Sequence, residues 1–478
     1  MHKKIVVHVL GLVLIFESAC LLLPLLCSLI YGERDAFAFL ISSLLCFLTG
    51  FLLKSVAPKN RNMYAKEGLL VVSLSWIFLS LFGALPFVIS GAIPNYVHAL
   101  FETVSGFTTT GASILSDVEA LSHGMLFWRS FTHWIGGMGV LVFLVSLFKM
   151  SGGNNLYLLK AESTGPSVGK IVPHVQSTAK ILYGIYSALT VLEIILLLAG
   201  GMPLFDAVTI SLGTAGTGGF GVRNSGMADY TSYQQTVVTI FMIIFGVDFS
   251  LYYLIFIRKF KSVFKSEELR IYLGIILVSI TVITLNIMGT FESVWTALKH
   301  SAFQVGSIIT TTGYATADFD KWPQLSKTIL VLLMFVGACA GSTGGGMKVS
   351  RILISFKTII KELKITAHPQ STHKITINGR MVAHDTIRSI NVYIIAYFLI
   401  YAVSLLLISF DNFDFTTNFT AVAATLNNIG PGLSKVGPMG NFSDFSPLSL
   451  FVFMLNMLIG RLEIFPMLIL FSPYTWKK

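Results

Sequence analysis

Apolar and polar positions alternate along this chain on a coarse scale. Apolar runs of about twenty residues are separated by short polar punctuation. They cover roughly 5–31, a second run ending near Leu53, then 67–91, 125–149, 181–200, 234–257, 270–290, 327–356, 389–410 and 448–470. A helix of about twenty residues crosses the ~30 Å hydrocarbon core of a bilayer. The pattern therefore predicts an all-α polytopic membrane protein. The short alternating segments of a β-barrel are absent. The opening Met1-His2-Lys3-Lys4 mimics a signal peptide, but the run behind it continues to about Ile30. That exceeds the roughly 7–15 residues of a signal-peptide core, so an uncleaved first span is predicted.

From about residue 67 one unit recurs four times: apolar span, short helical segment, Thr/Gly-rich stretch, returning span, basic loop. The short helices are predicted at Tyr96–Phe107, Phe205–Leu212, Trp295–Ile308 and Thr416–Leu426. The stretches behind them are Thr108–Ser113, Gly213–Phe220, Ile309–Tyr314 and Asn427–Gly432. The predicted division is two leading transmembrane helices in 1–62 and four pore repeats in 63–160, 161–265, 266–380 and 381–478.

Composition agrees. The chain is 54% hydrophobic and 12% charged, with mean hydropathy +0.76, against about 25% charged residues in soluble domains. The net charge of +10 belongs to loops rather than to a folded basic domain, so nucleic acid is not a predicted partner; the membrane lipids are. Lys54–Lys66, the stretch of Lys149, Lys160, Lys170 and Lys180, Arg258–Lys265, Lys357–Lys364 and the C-terminal lysines fall on one side of a ten-span count. Both termini are then cytoplasmic, and every Thr/Gly stretch lies in the opposite half. Cys20, Cys27, Cys46 and Cys339 all sit in apolar runs and read as small buried hydrophobes.

Non-helical backbone at membrane depth is tolerated only where it is buried in protein or lines a watery cavity. Glycine permits the dihedrals that align successive carbonyls, and rings of carbonyls replace the water shell of a bare cation. One such stretch alone reads as close helix packing. Four in equivalent places read as a filter made by one chain.

Span, pore helix, Thr/Gly stretch and span, four times over, resemble the Trk/Ktr/HKT superfamily of potassium transporters. The two leading helices and the length resemble its bacterial TrkH branch more than the shorter KtrB branch. Matching motifs are Phe101-Glu102-Thr103, Trp128 to Gly139, Gly341-Ser342-Thr343-Gly344-Gly345-Gly346-Met347-Lys348 and Ile459-Gly460-Arg461-Leu462-Glu463. The resemblance implies a filter of Thr110, Gly111, Thr217, Gly218, Thr312, Gly313, Ile429 and Gly430, with potassium as the bound and transported ion. Gly216, Gly218 and Gly219 compete for the second position. In the family a serine at the first glycine goes with sodium and glycine at all four with potassium.

Gly337 to Gly346 carries five glycines within the eighth span. At about 1 kcal/mol each relative to Ala, they should break the helix. The family likeness makes this an intramembrane gating loop, with Gly341, Ser342, Thr343, Gly344, Gly345, Gly346, Lys348 and Arg461 forming the gate. Arg461 is placed mid-way along the last span, and Lys348 is expected to snorkel to the cytoplasm. Asp248 is placed inside the sixth span, and Glu193 is a second unexplained intramembrane acid. Arg129 and His133 read as structural pairing near a helix end, Arg223 as a solvated loop charge. A phosphate loop is excluded, because Met347 separates Gly346 from Lys348.

The expected function is a potassium-translocating subunit of a Trk-type uptake system in a bacterial inner membrane. The resemblance adds a homodimer and a cytoplasmic nucleotide-binding partner of the TrkA kind. The alternative is a sodium-selective or cation-coupled (symport) secondary transporter on the same scaffold. An enzyme is not expected, since HExxH and paired intramembrane aspartates are missing, and no cofactor is expected in the chain.

Overall fold

The computed structural model describes residues 3–56, 64–139, 175–370 and 372–476. The end of the predicted 125–149 span lies outside them, as do Lys59, Arg61, Lys149, Lys160, Lys170, Lys477 and Lys478. So do the expected divisions at 62/63 and 160/161.

Six of the predicted spans are long helices of high hydropathy. Two lead the chain, Lys3–Ile30 and Ala36–Lys54. The other four enter the repeats: Ala65–Gly83, continuing past Ala84 as Leu85–Ser90, then Val175–Ala199, Glu267–Ile287 and His384–Ile408. The leading pair meets at Gly11 and Gly50, where a Cβ on either glycine would strike the opposite backbone. Ser18 and Ser43 bond across the same seam at 3.0 Å. Glu33, in the turn between the two helices, accepts the N–H groups of His123 and Gly124 and so caps the first returning helix.

Of the returning spans, the third is interrupted where its glycines predict, and the second and fourth depart from the expected single helices. The first runs His123–Met138 and stops at Gly139 (φ 81°). The second is Ser232–Phe245 followed by Phe249–Phe256, bent by 93°. The third is Gln324–Val336, a loop, and Val349–Ala367. The last is Pro447–Arg461 and Phe465–Phe471. Each break described to its end has a local cause. Asp248 caps the second half-helix by accepting Ser250 N–H at 2.9 Å. Glycines unwind the third. In the fourth, Glu463 and Ile464 take left-handed φ of 62° and 67° ahead of Pro466, which cannot donate to the preceding turn.

Between entering and returning segments lie the pore helices Tyr96–Phe107, Leu204–Gly216, Val294–Ile309 and Phe415–Leu426. Asn95, Ser293 and Asp414 cap three of them through side-chain oxygens, and Pro203 precedes the second. Leucines and phenylalanines on the outer helices, such as Leu40, Phe47 and Leu277, are exposed, as a lipid-facing surface requires. A two-stranded hairpin, Thr376–Ile377 with Arg380–Met381, lies beyond the basic ends of the spans.

Candidate functional site

Each pore helix ends in the same motif. A left-handed residue closes it: Thr109 (φ 55°), Thr217 (53°), Thr311 (59°) and Asn428 (56°). The next N–H reaches back to a helix carbonyl: Thr110 to Ser105 at 2.9 Å, Gly218 to Gly213 at 2.9 Å, Thr312 to Ser307 at 2.8 Å, Ile429 to Ala424 at 2.9 Å. This 6→1 bond is the Schellman arrangement. It satisfies an orphan carbonyl and throws the following backbone out of the helix. One residue further on stands a left-handed glycine: Gly111, Gly219, Gly313 and Gly430.

Those glycines close a ring. A Cβ on Gly111 would overlap the Gly218 carbonyl oxygen, one on Gly219 that of Thr312, one on Gly313 that of Ile429, and one on Gly430 that of Thr110. Each repeat thus presses a bare Cα against the carbonyl preceding the next repeat's glycine, and the fourth returns to the first. The second register is therefore shifted by one from the sequence reading. Gly219 occupies the position of Gly111, Gly218 that of Thr110, and Thr217 is the left-handed residue. Local sequence could not choose among three glycines, whereas the hydrogen-bond register does. Above the ring opens a cavity of ≈ 550 Å³, lined by Gly111, Gly219, Gly313, Gly430 and the loops behind them. In those loops the Asn224 amide donates to Asp117 and holds its carboxyl below the usual range.

Buried charges hold the first two stretches together. Arg129 donates to Glu102 at 2.8 Å and to Gly221 O at 3.2 Å, with its guanidinium 4.1 Å from the Phe220 ring centre. The Glu102 carboxylate accepts Ile114 N–H at 3.0 Å and the Ser113 hydroxyl. His133 bonds Gly106 O through Nδ1 at 2.7 Å, and its Nε2 accepts Phe220 N–H at 3.2 Å, which fixes the Nδ1–H tautomer. So Arg129 and His133 do not pair with each other; each clamps filter backbone. Opposite charges in one repeat, Glu102 and Arg129, were the available sequence signal. Tyr314 OH donates to Ile210 O at 3.2 Å, linking the third stretch to the second. Asn428 Nδ2 donates to Thr110 Oγ1 at 2.9 Å, linking the fourth to the first. Arg223 is not a free solvated charge: it pairs with Asp206 at 3.3 Å.

Beneath the ring the segment 337–348 crosses between the helix ends. Gly345 N–H donates to Thr311 Oγ1 at 2.6 Å and Gly346 N–H to Asn427 O at 3.1 Å. Cys339 N–H reaches Gly246 O at 3.0 Å, and Gly341 O accepts Phe249 N–H at 3.1 Å. Gly341 lies against the Asp248 carboxylate, where a Cβ would come within 2.7 Å of Oδ1. Asp248 thus stands at the break of the sixth span and faces the loop rather than sitting within a helix.

Arg461 lies mid-way along the last span, as the last residue of its first half-helix, Pro447–Arg461. Its guanidinium donates to Thr343 O at 2.7 Å, Gly136 O at 2.5 Å and Gly137 O at 2.6 Å, joining the fourth repeat to the loop and to the first. Lys348 does not snorkel. It is buried, 1% exposed, and donates to Gly344 O within the loop. Glu463 pairs with Arg351, whose guanidinium also lies 4.0 Å from the Tyr393 ring centre.

A family model described as TrkH, cation transport protein, matches residues 35–478. The chain belongs to the TrkH family of cation transport proteins. TrkH relatives span the whole chain. The Trk system potassium uptake protein TrkH of Salmonella typhimurium is 36% identical over 486 residues, with all of both chains covered. Its Escherichia coli K12 counterpart is 35% identical over the same length and coverage. The crystal structure of the potassium transporter TrkH from Vibrio parahaemolyticus superposes with TM-score 0.90 at 31% identity, covering all of both chains. The TrkH architecture of two leading helices and four pore repeats, in a multi-pass membrane transporter, is therefore that of this chain.

Proposed function

We propose that this chain is the potassium-translocating membrane subunit of a Trk-type uptake system. The observation that carries the reading is the closed ring of four left-handed glycines, each against the carbonyl of the next repeat. Potassium sheds water in the cavity above, passes Thr110, Gly218, Thr312 and Ile429 carbonyls with their neighbouring glycines, and meets the loop 341–346 and Arg461. Those last groups block the path at rest. Thr343 O and the Gly136 and Gly137 carbonyls, all bonded to Arg461, support that reading. Glycine at all four ring positions favours potassium over the sodium-selective alternative.

The same reading includes a homodimer in a bacterial inner membrane with both termini cytoplasmic. It also includes a cytoplasmic nucleotide-binding subunit of the TrkA kind that opens the path. The concentration of lysine and arginine in one set of loops supports that orientation. The test is potassium uptake by the purified chain in liposomes, with and without excess sodium. Saturable potassium flux that sodium competes with weakly is expected. Flux equal for the two ions, or none above empty vesicles even when Arg461→Ala removes the block, refutes the proposal.

A further inference from the structure

Glu267 and Glu268 open the third entering helix, and their carboxylates run to different structures. Glu268 Oε1 accepts the N–H of Ala340 at 2.7 Å and of Ser350 at 3.2 Å. Ala340 immediately precedes Gly341. Ser350 lies in the first turn of the helix Val349–Ala367, where an N–H has no partner within its own helix. One carboxyl oxygen therefore ties the two ends of the glycine-rich loop together.

Glu267 is turned the other way. Its Oε1 accepts Asn378 N–H at 2.8 Å, and its own N–H donates to Asn378 Oδ1 at 2.7 Å. Its second oxygen pairs with Lys357 Nζ, which also donates to Thr376 O at 2.7 Å. Asn378 is the left-handed tip (φ 51°) of the hairpin Thr376–Met381. That tip and the strand behind it are exposed. A reciprocal pair of bonds thus fastens an exposed hairpin to the residue next to the one that fastens the loop. Both carboxylates start from one helical turn, so the two anchors share one stretch of backbone.

We infer that Glu267 and Glu268 are a mechanical link between the exposed hairpin and the intramembrane loop. Glu268 is a positioning residue that holds the loop across the pathway, and Glu267 carries displacement of the hairpin to it. The inference rests on the potassium-translocation reading above and on the loop as its gate.

The test is basal potassium flux of the purified full chain in proteoliposomes, with Arg461→Ala as the control for the gate itself. Glu268→Leu removes the acceptor and should raise basal flux at least about tenfold. Glu268→Gln keeps an oxygen at the same place and should bring flux back to within about threefold of wild type. Asn378→Gly keeps the left-handed turn but loses the side-chain bond; it should raise flux by itself and add nothing to Glu268→Leu. Potassium-over-sodium discrimination should stay at the wild-type value throughout, since the ring is untouched. Unchanged flux in Glu268→Leu, with Arg461→Ala raised, overturns the link and leaves the function standing. Glu268→Gln as leaky as Glu268→Leu overturns the acceptor role. Independent, multiplying effects of Asn378→Gly and Glu268→Leu overturn the coupling. Should Glu268→Leu fail to fold, the same cycle with Glu267→Gln and Asn378→Gly decides: multiplying effects refute the link. No flux from any variant overturns both readings.

Discussion

Alanine at each ring glycine separates backbone strain from ring geometry. All four glycines are left-handed, with φ of 77° at Gly111, 77° at Gly219, 87° at Gly313 and 96° at Gly430. That conformation costs an alanine about 1–2 kcal/mol at every one of them. The steric part differs. A Cβ would stand 1.9 Å from Thr312 O at Gly219, 2.0 Å from Gly218 O at Gly111, 2.1 Å from Ile429 O at Gly313, but 2.8 Å from Thr110 O at Gly430, where real Cβ atoms essentially never come under 3.0 Å. Three carbonyls must retreat by about an ångström, and the fourth by a few tenths. A ring that replaces an ion's hydration shell depends on where those oxygens stand. Gly111→Ala, Gly219→Ala and Gly313→Ala should each lower potassium-over-sodium discrimination at least about tenfold, equivalent to about 1.4 kcal/mol. Gly430→Ala should lower it least. Gly91→Ala is the control: Gly91 has φ 80° and nothing within 4 Å of its Cβ direction, so it should lose stability and keep selectivity. The assay is potassium uptake into proteoliposomes at graded sodium, on variants that elute as the wild type does. Unchanged discrimination in folded Gly219→Ala, or an equal loss in Gly91→Ala, refutes the ring.

Arg461→Ala deletes three bonds from a cation to carbonyls, each worth about 1.5–3 kcal/mol; basal flux should rise at least about tenfold, and a fall would remove Arg461 from the gate. Arg129→Met strands the buried Glu102 carboxylate at a cost of about 3–5 kcal/mol, read as a lowered melting temperature that Glu102→Gln in the same chain should partly restore. Asp414→Ala removes the cap of the fourth pore helix, about 1 kcal/mol. The Thr417 hydroxyl and N–H hold the Asp414 carboxyl below its ordinary value. A depressed folded value means the contribution is full above the unfolded carboxylate value of about 3.9 and fades as pH falls through the folded one. The melting-temperature gap between wild type and Asp414→Ala should therefore narrow below about pH 4 and stay constant above it.

By itself the sequence determined what an average over the length of a span records. Apolar length gave the two leading helices and the four entering helices of the repeats, in order. Lysine and arginine gave the predicted sides. The repeated Thr/Gly stretches behind short helices gave the four pore units, and five close glycines marked the unwound loop. The six long helices followed because hydropathy is averaged over twenty residues. The breaks at Gly246–Asp248 and at Glu463–Ile464 escaped the same averaging, since two or three residues hardly alter a mean. Pro466 was the overlooked local sign. Only the tertiary structure decided what depends on partners distant in the chain. It chose Gly219 over Gly218, because the register is set by bonds to Gly213 and by contact with Thr312. It turned Arg129 to Glu102, His133 to the backbone of two repeats, and Lys348 inward. It also brought Arg461 within reach of carbonyls 118 and 325 residues away. A charge in an apolar run announces a cost, but the group that offsets it comes from another repeat, and no local pattern records which.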